Sequence, residues 1–315
     1  MSLKEQRAMV QSTTAQGSTA GPALLASQAP TALKAYPLLN EQEAEVLGFL
    51  AERPLHTIVM TGLILDNGLE SPFNRGQFYG CRNAEGELEG VALIGHGMFV
   101  ETRTEGALKA FAELAQTNSQ AHFIMGEHER IERFWSYYAN AGQAARVFCR
   151  ELLFEQRWPV AAHEPVPQLR RATQEDLMRV MPVHAALAYE ESGVNPLDVD
   201  PQGFRLRCAR RIGLGRVWVW VDQRGQLIFK ADVIAETPEV VYLEGVWIDW
   251  QERGKGYGRR CMSQLGRTLL AQTKALTLVV NEQHRGSQAF FQKAGYRLRS
   301  YYDTIFLQPG EKPVG

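Results

Sequence analysis

The sequence predicts an α/β protein built from two units, and three observations carry that expectation. Its 315 residues exceed what a single core commonly serves. Segments with apolar residues three and four apart alternate with short β-branched runs of period two. One stretch, Val240 to Gly258, passes from an apolar run through glycines 254, 256 and 258 into an Arg-rich helical segment. That order reads as strand, tight turn and helix start.

Composition narrows the class. With 45% hydrophobic and 22% charged residues the chain suits a globular protein. Its 34 basic and 35 acidic residues leave a net charge of -1, which gives no global field for nucleic acid or an anionic membrane. No apolar run approaches the roughly 20 residues of a membrane span, so a soluble, cytoplasmic chain is expected. Cysteines 81, 149, 208 and 261 share no short spacing, and neither a zinc pattern nor a disulfide framework can be drawn from them. Reduced, buried thiols fit them better. His122 and His128 stand six apart, matching neither face of a helix, so no metal is expected.

In chain order, residues 1–34 are rich in Ala, Gln, Ser, Thr, Gly and Pro and read as a flexible leader. Residues 35–158 read as one α/β unit. A helix is expected from Asn40 through Leu50, with Val46, Leu47, Phe49 and Leu50 inward. Strands at 77–81 and 88–94 flank the turn chemistry of Asn83 to Glu87. Gly95-His96-Gly97 reads as a turn or bulge. Helix 105–116, strand 122–125 and helix 129–138 follow. Residues 159–167, with three prolines, read as a linker. In the unit at 168–315, Thr173 is placed to cap a helix by accepting from the Asp176 amide, and Ser192 to Pro196 ends that helix. A basic helix over 203–212 precedes strands at 216–221, 227–235 and 240–248. Helix 259–272, strand 276–281, helix 287–293 and strand 296–307 close the chain.

In Arg253-Gly-Lys-Gly-Tyr-Gly258, glycines let the backbone approach a phosphate while Arg253 and Lys255 add charge. No Lys-Ser or Lys-Thr follows, so this is not a Walker turn, and the spacing is not the dinucleotide fingerprint. The flanks resemble the GNAT superfamily of acyl-CoA N-acyltransferases. Arg253, Gly256 and Gly258 match its Gln/Arg-x-x-Gly-x-Gly/Ala motif, and Val246, Ile248 and Arg253-Gly254 stand where its preceding strand places them. Trp250 replaces the usual proline. A second strand ending at Asn281 and the segment Phe291-Gln-Lys-Ala-Gly295-Tyr296 match its second motif. The resemblance covers about residues 168 to 308. A strand and helix at 122–138 faintly echo 276–293 without a glycine turn before helix 105–116. The chain therefore reads as tandem GNAT-like domains with a degenerate first copy. Each would be a mixed, mostly antiparallel sheet flanked by helices, with a splayed central strand pair in the second copy.

The resemblance implies direct transfer of an acetyl group from acetyl-CoA to a primary amine. The coenzyme would lie against Val246, Trp247 and Ile248, with its pyrophosphate on Arg253, Gly254, Lys255, Gly256, Tyr257 and Gly258. Asn281, His284 and Phe291 would line the other side. The Ile248 amide is placed to stabilise the oxyanion. Period-two alternation would put Tyr242, Glu244, Val246 and Ile248 on one face. Glu244, a carboxylate in an apolar run, is the candidate base, and partial burial would raise its pKa. Pairing with an arginine is the structural alternative. Tyr242 is the second candidate. Many relatives carry Tyr where this chain has Phe291, which cannot donate a proton, so Tyr296, Tyr301, Tyr302 or a water is left for the acid. His284 is alternatively a surface helix cap. Glu190 and Glu191, in the segment that usually builds the acceptor pocket, suit a cationic amine or a solvated helix end. A small-molecule or peptide amine is the expected partner, with homo-oligomerisation open. A coenzyme-binding sensor with little turnover is the competing class. An aminoacyl-transferring relative would need a tRNA-facing basic surface that the net charge does not give.

Overall fold

A computed structural model describes residues 33–309. All but the last two residues of the expected leader lie outside that range. The first half runs β1 (Ala35–Pro37), α1 (Glu43–Leu50), α2 (Pro54–Asn67), β2 (Gly76–Arg82), β3 (Leu88–Gly95), β4 (Gly97–Thr102), α3 (Glu105–Ala115), β5 (Phe123–Glu127), α4 (His128–Tyr138) and β6 (Ala145–Gln156). The second half runs β7 (Arg170–Arg171), α5 (Leu177–Ser192), α6 (Pro196–Val199), α7 (Pro201–Gly213), β8 (Val217–Val221), β9 (Leu227–Glu236), β10 (Val240–Ile248), α8 (Tyr257–Leu269), β11 (Ala275–Asn281), α9 (Arg285–Lys293) and β12 (Arg297–Leu307).

Local chemistry explains the boundaries. Asn83 Oδ1 accepts from the Glu87 amide at 2.8 Å and closes the β2–β3 turn. Before α5 the expected Thr173 cap is one half of a capping box: the Thr173 side chain faces the Asp176 amide, and the Asp176 carboxylate accepts from the Thr173 amide at 2.8 Å. Arg170 holds that carboxylate with both terminal nitrogens. Gly193, at φ +67°, ends α5 in the left-handed region.

The strands form one sheet in the order β1-β2-β3-β4-β5-β12-β6-β11-β10-β9-β8-β7. The expected mixed, mostly antiparallel character holds, since only β4–β5 and β10–β11 are parallel. Both parallel pairs splay. β4 and β5 are in register only at Gly97↔Phe123 and Met98↔Ile124, and β10 and β11 only from Val240↔Ala275 to Tyr242↔Thr277. A division at 159–167 separates the chain but not the sheet. Strand β6, from the first half, lies between β12 and β11, while β12, from the chain end, lies between β5 and β6.

Among the elements not expected from the sequence, three bear on the site. The run of β6 is buried from Leu152 to Gln156, and a strand covered on both faces shows no period of two. In α2 apolar residues lie nearly all round the helix, because it sits between other elements and packs across β9 and β10. The fit is close: a Cβ on Gly62 would stand 2.5 Å from the Ala235 Cβ. Strand β4 fills the stretch between Gly97 and Thr102 that leads into α3. One core lies under α8, where Cys261, Met262 and Leu265 meet Val241, Leu243 and Leu278. A second lies under α3 and α4.

Candidate active site

Beyond Tyr242 and Thr277 the paths of β10 and β11 part, and β11 goes on pairing with β6 as far as Asn281↔Glu151. This leaves a notch beside the second half of β10. Asp249 donates its amide to Ile228 O of β9 at 3.0 Å. Successive amides point to opposite strand edges, so the Ile248 N–H is directed to the notch. The pairing of β10 with β9 is interrupted between Glu244 and Trp247, and Gly245 takes φ +57° there.

That bulge corrects the expectation of one shared face. Val246 and Ile248 join Val241 and Leu243 in the core under α8. Tyr242 instead packs with Ile58 of α2 and Ala235, and Trp247 packs toward the cluster of α5 and α7. An extra residue in the strand reverses every side chain beyond it.

A buried charge network supports the bulge. Lys230, with no solvent exposure, donates to the Gly245 carbonyl at 3.1 Å and to Asp232 Oδ2 at 2.8 Å. The same oxygen receives His184 Nε2 and, at 3.3 Å, Arg211 Nη1. Burial alone would raise the Asp232 carboxyl, but Lys230, His184 and Arg211 hold it well below its ordinary range. Burial and the Lys230 charge push His184 down to about 4. The imidazole is therefore neutral at pH 7. The sequence signal was present in Lys230 and Asp232, two charges on one face of an apolar strand.

Glu244 lies at the bulge with its side chain open to solvent, although protein surrounds it closely. It belongs to a cleft floor and not to the sealed core. The close surroundings raise its carboxyl above the ordinary glutamate value, opposed by the Tyr242 hydroxyl and by Arg211. Tyr242 is 2% exposed and its hydroxyl has no well-formed hydrogen bond. Burial, then the Glu244 charge, pushes that phenol well up, so it remains a donor.

The glycine turn follows directly. Gly254 and Gly256 stand at φ +80° and +84°, with open space where a Cβ would project. Gly258 serves differently, since a Cβ there would come 2.2 Å from Ile248 Cδ1. It lets α8 sit tightly on β10. The first helical bond runs from Arg260 N to Gly256 O at 3.2 Å, which leaves the amides of Tyr257, Gly258 and Arg259 available to an anion. Arg253 Nε donates to Ile248 O at 3.2 Å, and Lys255 pairs with Glu252 at 3.0 Å. Tyr257 stands edge-on to Trp220 at 4.8 Å.

The remaining residues fall elsewhere. Phe291 is 7% and Tyr296 2% exposed, both in the core under α8, their rings edge-on at 5.6 Å. Burial raises the Tyr296 phenol, and its hydroxyl meets no partner. Tyr302 donates to or accepts from His56 Nδ1 at 2.9 Å, and Tyr301 lines a recess of the first half. Asn281 Oδ1 accepts from the Gln283 amide at 2.8 Å and shapes the turn into α9. His284 occupies the N-cap position of α9 without a side-chain cap bond.

The corresponding notch of the first half is filled by charge. Arg53 pairs with Glu101 and Glu127, and Arg130 pairs with Glu101 at 2.5 Å. Before α3 the sequence is Thr102-Arg103-Thr104, and Thr104 Oγ1 accepts from the Ala107 amide at 3.4 Å. No glycine turn opens there. Among the described residues no group of three or more His, Cys, Asp or Glu is placed to hold a metal, and no helix is long and apolar enough to cross a membrane.

Residues 204–296 match the family model described as the acetyltransferase (GNAT) family. No curated protein matches the chain. Among solved structures, a Drosophila protein has a TM-score of 0.62 at 14% identity, covering 87% of this chain and 98% of that one. A GCN5-related N-acetyltransferase from Sphaerobacter thermophilus has a TM-score of 0.57 at 12% identity, covering 89% and 98%. A tandem GNAT protein from the clavulanic acid biosynthesis pathway has 0.56 at 13% identity, covering 89% and 99%. At such identities the likeness is one of fold.

Proposed function

We propose that this chain, whose residues 204–296 match the model of the acetyltransferase (GNAT) family, is an N-acyltransferase that moves acetyl from acetyl-CoA to a primary amine in a ternary complex. The observation that carries the reading is the parting of β10 and β11 immediately before a glycine turn with free helix amides. The pyrophosphate would rest on the amides of Tyr257, Gly258 and Arg259, beside Arg253 and Lys255. The pantetheine arm would pair along Val246 to Ile248 in the notch.

The Ile248 N–H would then polarise the thioester carbonyl and stabilise the oxyanion of the adduct. In its carboxylate form Glu244, open to solvent, takes a proton from the attacking ammonium directly or through one water. The N–C bond forms and the C–S bond breaks. Of the two protons lost by the nitrogen, one ends on the departing sulfur and one in solvent. Phe291 has no proton to give and Tyr296 is sealed in the core. A thiolate leaves without a dedicated acid, since thiols ionise near about 8.5.

Saturable binding of acetyl-CoA by the full chain tests the coenzyme site. Gly256→Glu would place a side chain at φ +84° and a negative charge at the helix N-terminus, and binding is expected to be lost. Undiminished binding by this variant would remove the site from residues 253–258. The sensor reading draws on the same Phe291 and Tyr296 placement; steady release of CoA in the presence of an amine decides against it.

A further inference from the structure

Four carboxylates from three elements lie near enough beside the notch for their charges to act on one another. Glu244 stands on β10, Glu190 and Glu191 at the end of α5, and Glu151 on β6 opposite Asn281. Helix α5 packs on β9 and β10 and ends at Gly193, where a Cβ would stand 3.2 Å from Arg146 Nη1 of β6. The helix thereby spans from one side of the notch to the other. Glu151 accepts from Thr304 Oγ1 at 2.6 Å. None of the four forms an ion pair among the described residues. Of the nearby cations, Lys230 and Arg211 are already committed to Asp232, while Arg146 of β6 stands at the end of α5 with its Nη2 buried and unpaired and offsets part of this negative charge.

The carboxylates repel one another. Burial, then the Glu244 charge, raises Glu151 to about 7 against the pull of its Thr304 bond. Glu191 is open to solvent, yet the protein close around it, then Glu244, Glu151 and Glu190, raises it to about 8. An independent observation points to the same spot. The Tyr242 hydroxyl is buried and makes no well-formed hydrogen bond, only a loose approach to Glu244, and the charges of Glu244, Glu151 and Glu191 all act on it. A buried donor left unpaired costs stability unless something fills its place.

We propose that the acceptor is an amine with at least two positive centres, its reacting nitrogen between Glu244 and the Tyr242 hydroxyl and its second ammonium between Glu151 and Glu191. This names the acceptor class of the acyltransferase reading and rests on it. It also gives the first half of the chain a part in the site, because Glu151 comes from β6.

The test compares α,ω-diaminobutane with n-butylamine, equal in carbon length and different by one ammonium. The full chain should acetylate the diamine with kcat/KM larger by about tenfold or more, the scale of one charge-assisted pair. Glu151→Gln and Glu191→Gln should each shrink that ratio. A wild-type ratio near one, with n-butylamine acetylated, overturns the two-charge site and leaves the transferase reading standing. If neither amine reacts, calorimetry of diaminobutane in buffers of different ionisation heat decides. Saturable binding with proton release between pH 7 and 8, where Glu151 and Glu191 titrate, supports the site against the transferase reading. Absence of binding overturns the site.

Discussion

Glu244 owes its proposed role to being wet and crowded at once. A sealed carboxylate would stay protonated, and a free one would be too weak a base; the cleft floor raises its pKa while leaving water access. Replacing it by Gln is expected to lower kcat by about 10²–10⁴. In the wild type, kcat/KM should fall at acid pH through a pKa above that of an ordinary glutamate, and this limb should be absent in Glu244→Gln. An unchanged pH profile in the variant would assign the limb to another group. At this scale the sequence was informative where a residue broke its own pattern, as a charge does in the Val240–Ile248 run. It was silent on Tyr296, because a phenol in a core and a phenol in a cleft look alike until the packing is known. Glu151 could not be singled out while its strand was unrecognised.

At the scale of elements, the bulge in β10 decides which residues line the cleft. It turns Val246 and Ile248 toward α8 and leaves Tyr242 under α2. Lys230 and Asp232 hold the bulge from the neighbouring strand through the Gly245 carbonyl. Removing one partner of a fully buried pair strands the other charge, so Lys230→Met should destabilise the fold by about 3–5 kcal/mol, measured by denaturant unfolding. A loss below about 1 kcal/mol would mean that the network is solvated and does not brace the bulge. The strands and helices from β8 to β12 were legible nearly to their ends, because each alternates or repeats on one face. Helix α2 and strand β6 were not, since elements buried on several sides lose the contrast that periodicity depends on. The bulge itself was hidden: Gly245 reads as a weak spot in a strand until its φ is known.

The strands of the described residues form one sheet in which each half completes the other. Strand β12 lies against β5, and β6 lies against β11, so the acceptor cleft and the first half are coupled through covalent strands. A half-buried histidine in the first half and a buried one in the second contribute to its acid stability. Burial, then Arg75, lowers His96 to about 3, and burial with Lys230 lowers His184 to about 4. Unfolded, each takes a proton near about 6.5. Their contribution is therefore fully present above that pH and is lost as pH falls through the folded values. The thermal midpoint of His96→Phe should fall less than that of the wild type between about pH 7 and about pH 4; parallel curves would mean that His96 titrates freely. Glu151 and Glu191, raised in the fold, act in the opposite sense, so the comparison between variant and wild type is the informative quantity. Tandem organisation was legible as a faint echo between 122–138 and 276–293. The exchange of end strands was not, because pairing between distant segments leaves no local mark.

The most direct test is a crystal structure of the full chain with acetyl-CoA. The account expects the pyrophosphate on the amides of Tyr257 to Arg259 and the pantetheine beside Val246 to Ile248. The Glu244 carboxylate should be able to reach the amine site next to the thioester directly or through one water, over hydrogen bonds of about 3 Å each. A coenzyme seated instead in the first-half recess lined by Arg53, Arg103 and Arg130, or a thioester turned away from Glu244, would contradict it.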